Sequence, residues 1–180
     1  MHFYTIKDLA AALWQLDHDA RKGRSGVTLI LRGIPGSGKT RIAEALRAEY
    51  AQPRAAIISI DDHFTCGASG EYAFNITKLD EAHGQCIRRH TQLLTAPNAV
   101  PCLTIIDNTN SHSVRIAPYY AVAKAFGREA VVLTVEADLE TCLKRQTHNA
   151  PRGVVQRMAA RIGNATLCPC HWKRWTITLG

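Results

Sequence analysis

The apolar run Val27-Thr28-Leu29-Ile30-Leu31 leads almost directly into Gly33-Ile34-Pro35-Gly36-Ser37-Gly38-Lys39-Thr40, and a helical pattern, Arg41-Ile42-Ala43-Glu44-Ala45-Leu46-Arg47, follows. No other stretch constrains the chain as tightly. The eight residues have the form G-x-x-x-x-G-K-[ST], in which glycines let backbone N–H groups turn inward around phosphate oxygens. Lys39 has the reach for β- and γ-phosphates, and the Thr40 hydroxyl can ligate Mg²⁺. A helix opening at the loop adds its dipole to anion binding. Strand, loop and helix in this order predict binding of a nucleoside triphosphate, ATP, with Mg²⁺.

Strand and helix signals alternate along the rest of the chain. Thr5-Ile6-Lys7-Asp8 has the form of a capping box, and Leu9, Leu13 and Leu16 recur at helical spacing, so a helix precedes the first strand. Residues 21–26 read as a Gly/Arg linker. Strands are expected over 55–60, 103–106 and 130–135, and helices over 76–94, 113–126, 138–146 and 153–162. Pro118 is a possible bend. Alternating β and α with continuous apolar strands predicts a parallel sheet covered on both faces. The fold class is therefore α/β, a P-loop NTPase three-layer sandwich with a small helical lid. One domain spans 1–180: an N-terminal helix and linker (1–25), a lid (144–153) and a tail (164–180). Lys173 to Thr178 could add an edge strand to the sheet.

With 180 residues, 46% of them hydrophobic, the chain can bury one proper core. No apolar run approaches the roughly 18 residues that span a bilayer, and the charged N-terminus lacks a secretory core, so a cytoplasmic protein without a membrane partner is expected. A bacterial or phage-infected cytoplasm suits it. Six cysteines without a framework suit a reducing compartment. Cys168-Pro-Cys170-His171 is half a metal site at most and reads as free thiols. A net charge of +7 favours a polyanionic partner, nucleic acid; DNA is expected ahead of RNA. No obligate protein partner is inferred. Trp172 and Trp175 flank Lys173 and Arg174 and either seal a core or stack on bases.

Phosphoryl transfer requires a group to activate the acceptor, a site for Mg²⁺ and cations for the transferred charge. In a parallel sheet, ligands sit at the carboxyl ends of the strands. Asp61 and Asp107 each follow a strand at that edge. Asp61 is the expected general base; an extended segment points successive side chains apart, so Asp62 is left to orient the loop or a Mg²⁺ water, and Asp62 and His63 are candidates for the substrate side. Asp107 is the expected metal ligand beside Thr40. Asn108 and Asn110 belong to a polar cluster that either bonds the acceptor or forms a turn. Arg145 and Arg152 flank the lid stretch and are candidates to close over the phosphates, Arg145 also as a nucleotide contact; His148 is a weaker candidate.

Together these residues resemble the polynucleotide-kinase-like branch of P-loop kinases, especially the kinase domains of the NEDD4-binding-protein-2-like group. The resemblance runs from Val27 to Ile162. It takes in the phosphate loop, Ser59-Ile60-Asp61-Asp62-His63-Phe64, Tyr72-Ala73-Phe74, Leu79, Glu81-Ala82-His83, Cys86, Asp107-Asn108-Thr109-Asn110, Lys144-Arg145 and the lid from His148 to Pro151. It implies transfer of the ATP γ-phosphate to a hydroxyl, often a nucleic-acid 5′-hydroxyl, with Asp61 as base and His83 on the acceptor side or in packing. The family lid usually reads Arg-Asn-x-His-Gly-Val-Pro; here Gln146 replaces the Asn and Asn149-Ala150 replace Gly-Val. The phage 5′-kinase pattern places an Arg shortly after the Asp pair, where this chain has Phe64 and Thr65. A second resemblance is to small phage kinases that phosphorylate 5-hydroxymethyluracil in DNA, whose acceptor is likewise a primary alcohol. Two alternatives stay open: a small-molecule kinase of the same fold, and a nucleotide-dependent binding module without transfer.

Overall fold

A computed structural model describes residues 1–20, 26–50, 54–66, 71–96, 100–164 and 168–179. The linker expected over 21–26 lies outside them except for Gly26. In chain order the elements are β1 (His2–Phe3), α1 (Ile6–Ala20), β2 (Val27–Arg32), α2 (Lys39–Tyr50), β3 (Ala55–Ile58), α3 (Asp61–Phe64), β4 (Thr65–Cys66) and β5 (Glu71–Tyr72). A 3₁₀ turn (Ile76–Lys78) then leads into α4 (Leu79–Thr95), β6 (Leu103–Ile106), α5 (Ser113–Ala125), β7 (Glu129–Glu136), α6 (Leu139–Arg145), α7 (Arg152–Gly163) and β8 (Lys173–Thr178). The capping box at α1 forms as read: the Asp8 amide donates to the Thr5 hydroxyl at 3.1 Å, and that hydroxyl donates to the Asp8 carboxylate at 2.6 Å.

Six strands form one sheet in the order β1-β8-β7-β2-β6-β3, and every neighbouring pair is parallel. Alternation along the strands feeds two cores. Leu29 and Leu31 of β2 join Leu9, Leu13, Ile42, Leu46 and Tyr50 under α1 and α2. Ile30 joins Ile106, Ile116, Tyr119 and Val132 under α5. The result is the expected three-layer α/β sandwich with a parallel sheet. Among the described residues, no helix is long and apolar enough to cross a membrane.

Three features differ from the sequence reading. β8 is no edge strand: it lies between β7 and the two-residue β1, which pairs His2 with Thr176 and Phe3 with Ile177. A pair of residues is too short to show a period, so β1 left no sequence signal. β4 and β5 form a separate antiparallel ribbon. Asp61 and Asp62 open a helical turn, with Ile60 already in the αR region, instead of continuing an extended segment. Trp172 and Trp175 are buried, Trp172 stacked on Tyr120 at 5.1 Å and Trp175 edge-on to Phe3 at 5.3 Å, so both seal the core.

His90 of α4 is fully buried against β2, its Nε2 3.3 Å from the Thr28 hydroxyl and its ring tilted on Tyr119. Burial, helped by the nearby Arg128 charge, pulls this imidazole down to about 4. An unfolded histidine titrates near 6.5. Between those values the unfolded chain takes up a proton that the folded chain refuses, so stability falls as pH drops from about 6.5 to about 4, by about 3 kcal/mol from this group. Replacing His90 with Gln should flatten that part of the profile; denaturant midpoints at pH 7 and 4.5 check it, and an unchanged slope would count against it.

Candidate active site

β2, β6 and β3 are neighbours, so the segments leaving their carboxyl ends are brought side by side. Hydrogen bonds lock them in place. The Gly33 amide donates to the Thr109 carbonyl at 3.0 Å, and the Asp107 amide to the Ile58 carbonyl at 2.8 Å. Ser59 donates through its hydroxyl to the Asp107 carbonyl at 3.1 Å. Asn108 and Asn110 are part of this frame. Asn108 Oδ1 accepts from the Ile60 amide at 2.8 Å, and Asn110, at φ 46°, donates from Nδ2 to the Leu31 carbonyl at 2.7 Å. Both side chains are buried, so in this structure they fix the loops that carry the carboxylates.

The phosphate loop closes over the start of α2. Gly36 and Gly38 hold φ of 79° and 94°, the left-handed region that glycine enters without strain. Gly36 also lies under α6: a Cβ there would stand 2.1 Å from the Cys142 carbonyl oxygen. Around it, Ile34 packs with Cys142 of α6 and Val155 of α7, so these two helices grip the loop through one small apolar cluster. The frame extends to β2, where buried Arg32 donates to the Ile162 and Arg161 carbonyls at 3.2 and 3.1 Å and so holds the last turn of α7. Gly36→Ala should combine strain with displacement of α6 and lower ATP affinity by about tenfold or more. Titration calorimetry reads this; an unchanged Kd would mean α6 yields freely.

Lys39 is buried, and its Nζ donates to the Ile34 carbonyl at 2.9 Å. Burial draws the ammonium below its ordinary value, while Asp107 and Asp61 pull it back up. Asp107 is pushed up by burial and pulled down by a hydrogen bond from Thr40 and by the Lys39 charge. Asp107 Oδ1 and the Ser37 hydroxyl are buried without a protein hydrogen-bond partner among the described residues. A buried carboxylate oxygen lacking a donor, next to a threonine hydroxyl, suits a hard cation, which takes oxygen ligands.

Asp61 sits further out, at the mouth. Tyr72 of the β4–β5 ribbon donates its hydroxyl to Asp61 Oδ1 at 3.0 Å. The phenol is raised by burial and by the adjacent Asp61 charge, which keeps it a donor. On the other side, His148 from the lid stretch places Nε2 3.7 Å from Asp61 Oδ2 and stacks on the Tyr72 ring at 3.7 Å. A ribbon residue and a residue of the α6–α7 connection thus meet over one carboxylate. Sequence reasoning ranked His148 low and gave Tyr72 no role; only pairing across β4–β5 brings Tyr72 to residue 61.

The remaining candidates disperse. Asp62 turns away from Asp61 to pair with Arg89 of α4 at 2.7 Å, and His63 Nδ1 lies 2.9 Å from Gln85 Oε1. These contacts dock α3 on α4. The two carboxylates therefore diverge as expected, on a helical turn. His83 is half-buried, pulled down to about 4 by burial and by Arg115. Arg145 is exposed at the end of α6. Arg152 opens α7 and is engaged by Glu140, with one contact at 3.1 Å.

The AAA domain family AAA_33 matches residues 29–164, more than half of the chain and all of the site just described. The chain belongs to this family. Its fold is the P-loop NTPase-like α/β sandwich described above. NEDD4-binding protein 2 of Homo sapiens is 35% identical over 98 residues, 54% of this chain but only 5% of that protein. The chain thus spans about one-twentieth of the length of that curated relative. A chain of the Pnkp1/Rnl/Hen1 RNA repair complex shares the fold at a TM-score of 0.61 and 17% identity, over 81% of this chain and 47% of that one. The APS kinase CysC of Mycobacterium tuberculosis, in complex with AMPPNP and APS, aligns at a TM-score of 0.52 and 19% identity, over 84% of this chain and 88% of that one.

Proposed function

We propose that this AAA_33 domain is an ATP-dependent kinase that transfers the γ-phosphate to a hydroxyl on nucleic acid. The acceptor is a polynucleotide 5′-hydroxyl or the hydroxymethyl group of 5-hydroxymethyluracil in phage DNA. One observation carries the reading: a phosphate loop whose lysine has two carboxylates beside it, Asp107 buried against Thr40 and Asp61 open at the mouth. Binding of a nucleotide alone needs only the first. An outer carboxylate held by Tyr72 supports an acceptor to be deprotonated.

Thr40 and Asp107 would hold Mg²⁺, which when bound neutralises charge on the β- and γ-phosphates. The loop amides and Lys39 bind and orient those phosphates. Tyr72 fixes one Asp61 oxygen, leaving Oδ2 for the acceptor. As the acceptor oxygen bonds to the γ-phosphorus, the bridging bond to the β-phosphate oxygen breaks, ADP leaves, and the acceptor proton passes to Asp61. His148 brings the lid onto this site and shields it from water, while Arg145, and Arg152 once released from Glu140, would meet the transferred charge if the lid closes further.

An acceptor competition tests the reading. With γ-labelled ATP, Mg²⁺ and equal amounts of free nucleoside and a 5′-hydroxyl oligonucleotide, label should enter the polymer, and the rate should fall as salt rises. Salt-insensitive labelling of the nucleoside would overturn it in favour of a small-molecule kinase.

A further inference from the structure

Two clefts share His63, which follows Asp61 by two residues on α3. One, of about 420 Å³, is lined by Asp62, His63, Gln85, Arg88 and Arg89. The other, of about 710 Å³, is lined by His63, Phe64, Phe74, Ile76 and Lys78. Both volumes fall in the range that holds small organic ligands. Their chemistry differs. The first sets two arginines against one carboxylate, Asp62, which pairs with Arg89 at 2.7 Å. The second is apolar and aromatic, and two of its members are unusually open, Phe74 at 54% and Ile76 at 66% exposure.

Phe74 is also the outer end of an aromatic row. It lies 5.1 Å from Phe64, Phe64 lies 6.3 Å from Tyr72, and Tyr72 bonds to Asp61. An aromatic row thus leads outward from the carboxylate, buried at Phe64 and open at Phe74, with a cationic cleft across the His63 ridge. A planar base beside a phosphate has this same division. An exposed phenylalanine is sequence-tolerant as a stacking partner, because every base has a π-face. A base inside a duplex has both faces covered and cannot reach it.

Resting on the nucleic-acid reading above, we propose that the acceptor is single-stranded. The base beside the reacting hydroxyl stacks on Phe74 and Ile76, and its neighbouring phosphate is held between Arg88 and Arg89. These residues set acceptor affinity and strand preference and take no part in the transfer step.

The test compares the wild-type chain with Phe74→Ala, Arg88→Ala and Arg89→Ala, each checked for fold by circular dichroism and for ATP affinity by titration. Acceptor KM for a single-stranded oligonucleotide should rise about tenfold in each variant, with ATP affinity unchanged throughout and kcat unchanged in Phe74→Ala and Arg88→Ala. Each arginine lost should also flatten the dependence of log affinity on log salt by about 0.7, the value for one phosphate contact on a single strand. Arg88→Lys and Arg89→Lys should restore the salt slope. A blunt duplex should be the poorer acceptor. Unchanged acceptor KM in the folded variants, or a duplex used as well as a single strand, overturns this inference and leaves the kinase reading standing. No label on any oligonucleotide with the wild-type chain overturns the nucleic-acid reading and this inference with it.

Discussion

Asp61→Asn should cut phosphoryl transfer by 10²-fold or more while ATP affinity stays within about twofold, the range set by what a positioned general base contributes. The geometry makes the substitution selective. An amide oxygen at the same place still accepts from the Tyr72 hydroxyl, 3.0 Å from Oδ1 in the native chain, so the ribbon keeps its anchor. What is lost is the oxygen facing His148 as a proton acceptor. Nucleotide binding uses the loop at the end of β2, which is framed by Thr109 and held beneath α6 without help from Asp61. Single-turnover transfer from γ-labelled ATP and an ATP titration measure the two halves separately. Near-normal turnover would remove Asp61 as the base.

Lys39→Ala should be more damaging and less selective. The Nζ is buried, bonded to the Ile34 carbonyl, and its charge opposes the rise that burial imposes on Asp107. Removing it takes away the charge that meets the phosphates and leaves Asp107 buried without its lysine. Transfer should fall to background and ATP affinity by about 100-fold, of the order expected when a buried charge partner worth about 3 kcal/mol is lost. The contrast between the variants is diagnostic: one loses chemistry with binding intact, the other loses both. If Lys39→Ala bound ATP normally, the loop would not be the phosphate site.

Much of this was legible in the sequence because local rules and the global fold agree. The run from Val27 to Thr40 carries its own strand, turn and helix start, and continuous apolar strands separated by helices admit few arrangements besides a covered parallel sheet. The placement of Asp61 and Asp107 beside the phosphate loop was legible because residues that follow parallel strands collect at one edge. What stayed hidden depends on contacts between distant segments. Tyr72 reaches Asp61 only through the β4–β5 ribbon, and His148 only because α6 and α7 pack on Ile34. Arg32 reads as an ordinary strand end, yet it caps a helix 129 residues later. The neighbouring turn misled in the other direction: Ser59-Ile60 already leaves the strand, so Asp61 and Asp62 diverge as successive helical residues do. Asn108 and Asn110 invite a substrate role by their polarity, and burial gives them backbone groups to hold instead.

The most direct test of the central claim uses γ-labelled ATP, Mg²⁺ and two single-stranded oligonucleotides. One has a free 5′-hydroxyl and ordinary bases; the other has both ends blocked and carries internal 5-hydroxymethyluracil. The account predicts label on one of them, the first marking an end kinase and the second a base-modification kinase, with the label lost in Asp61→Asn. Label on neither, under conditions where ATP is bound, would contradict it.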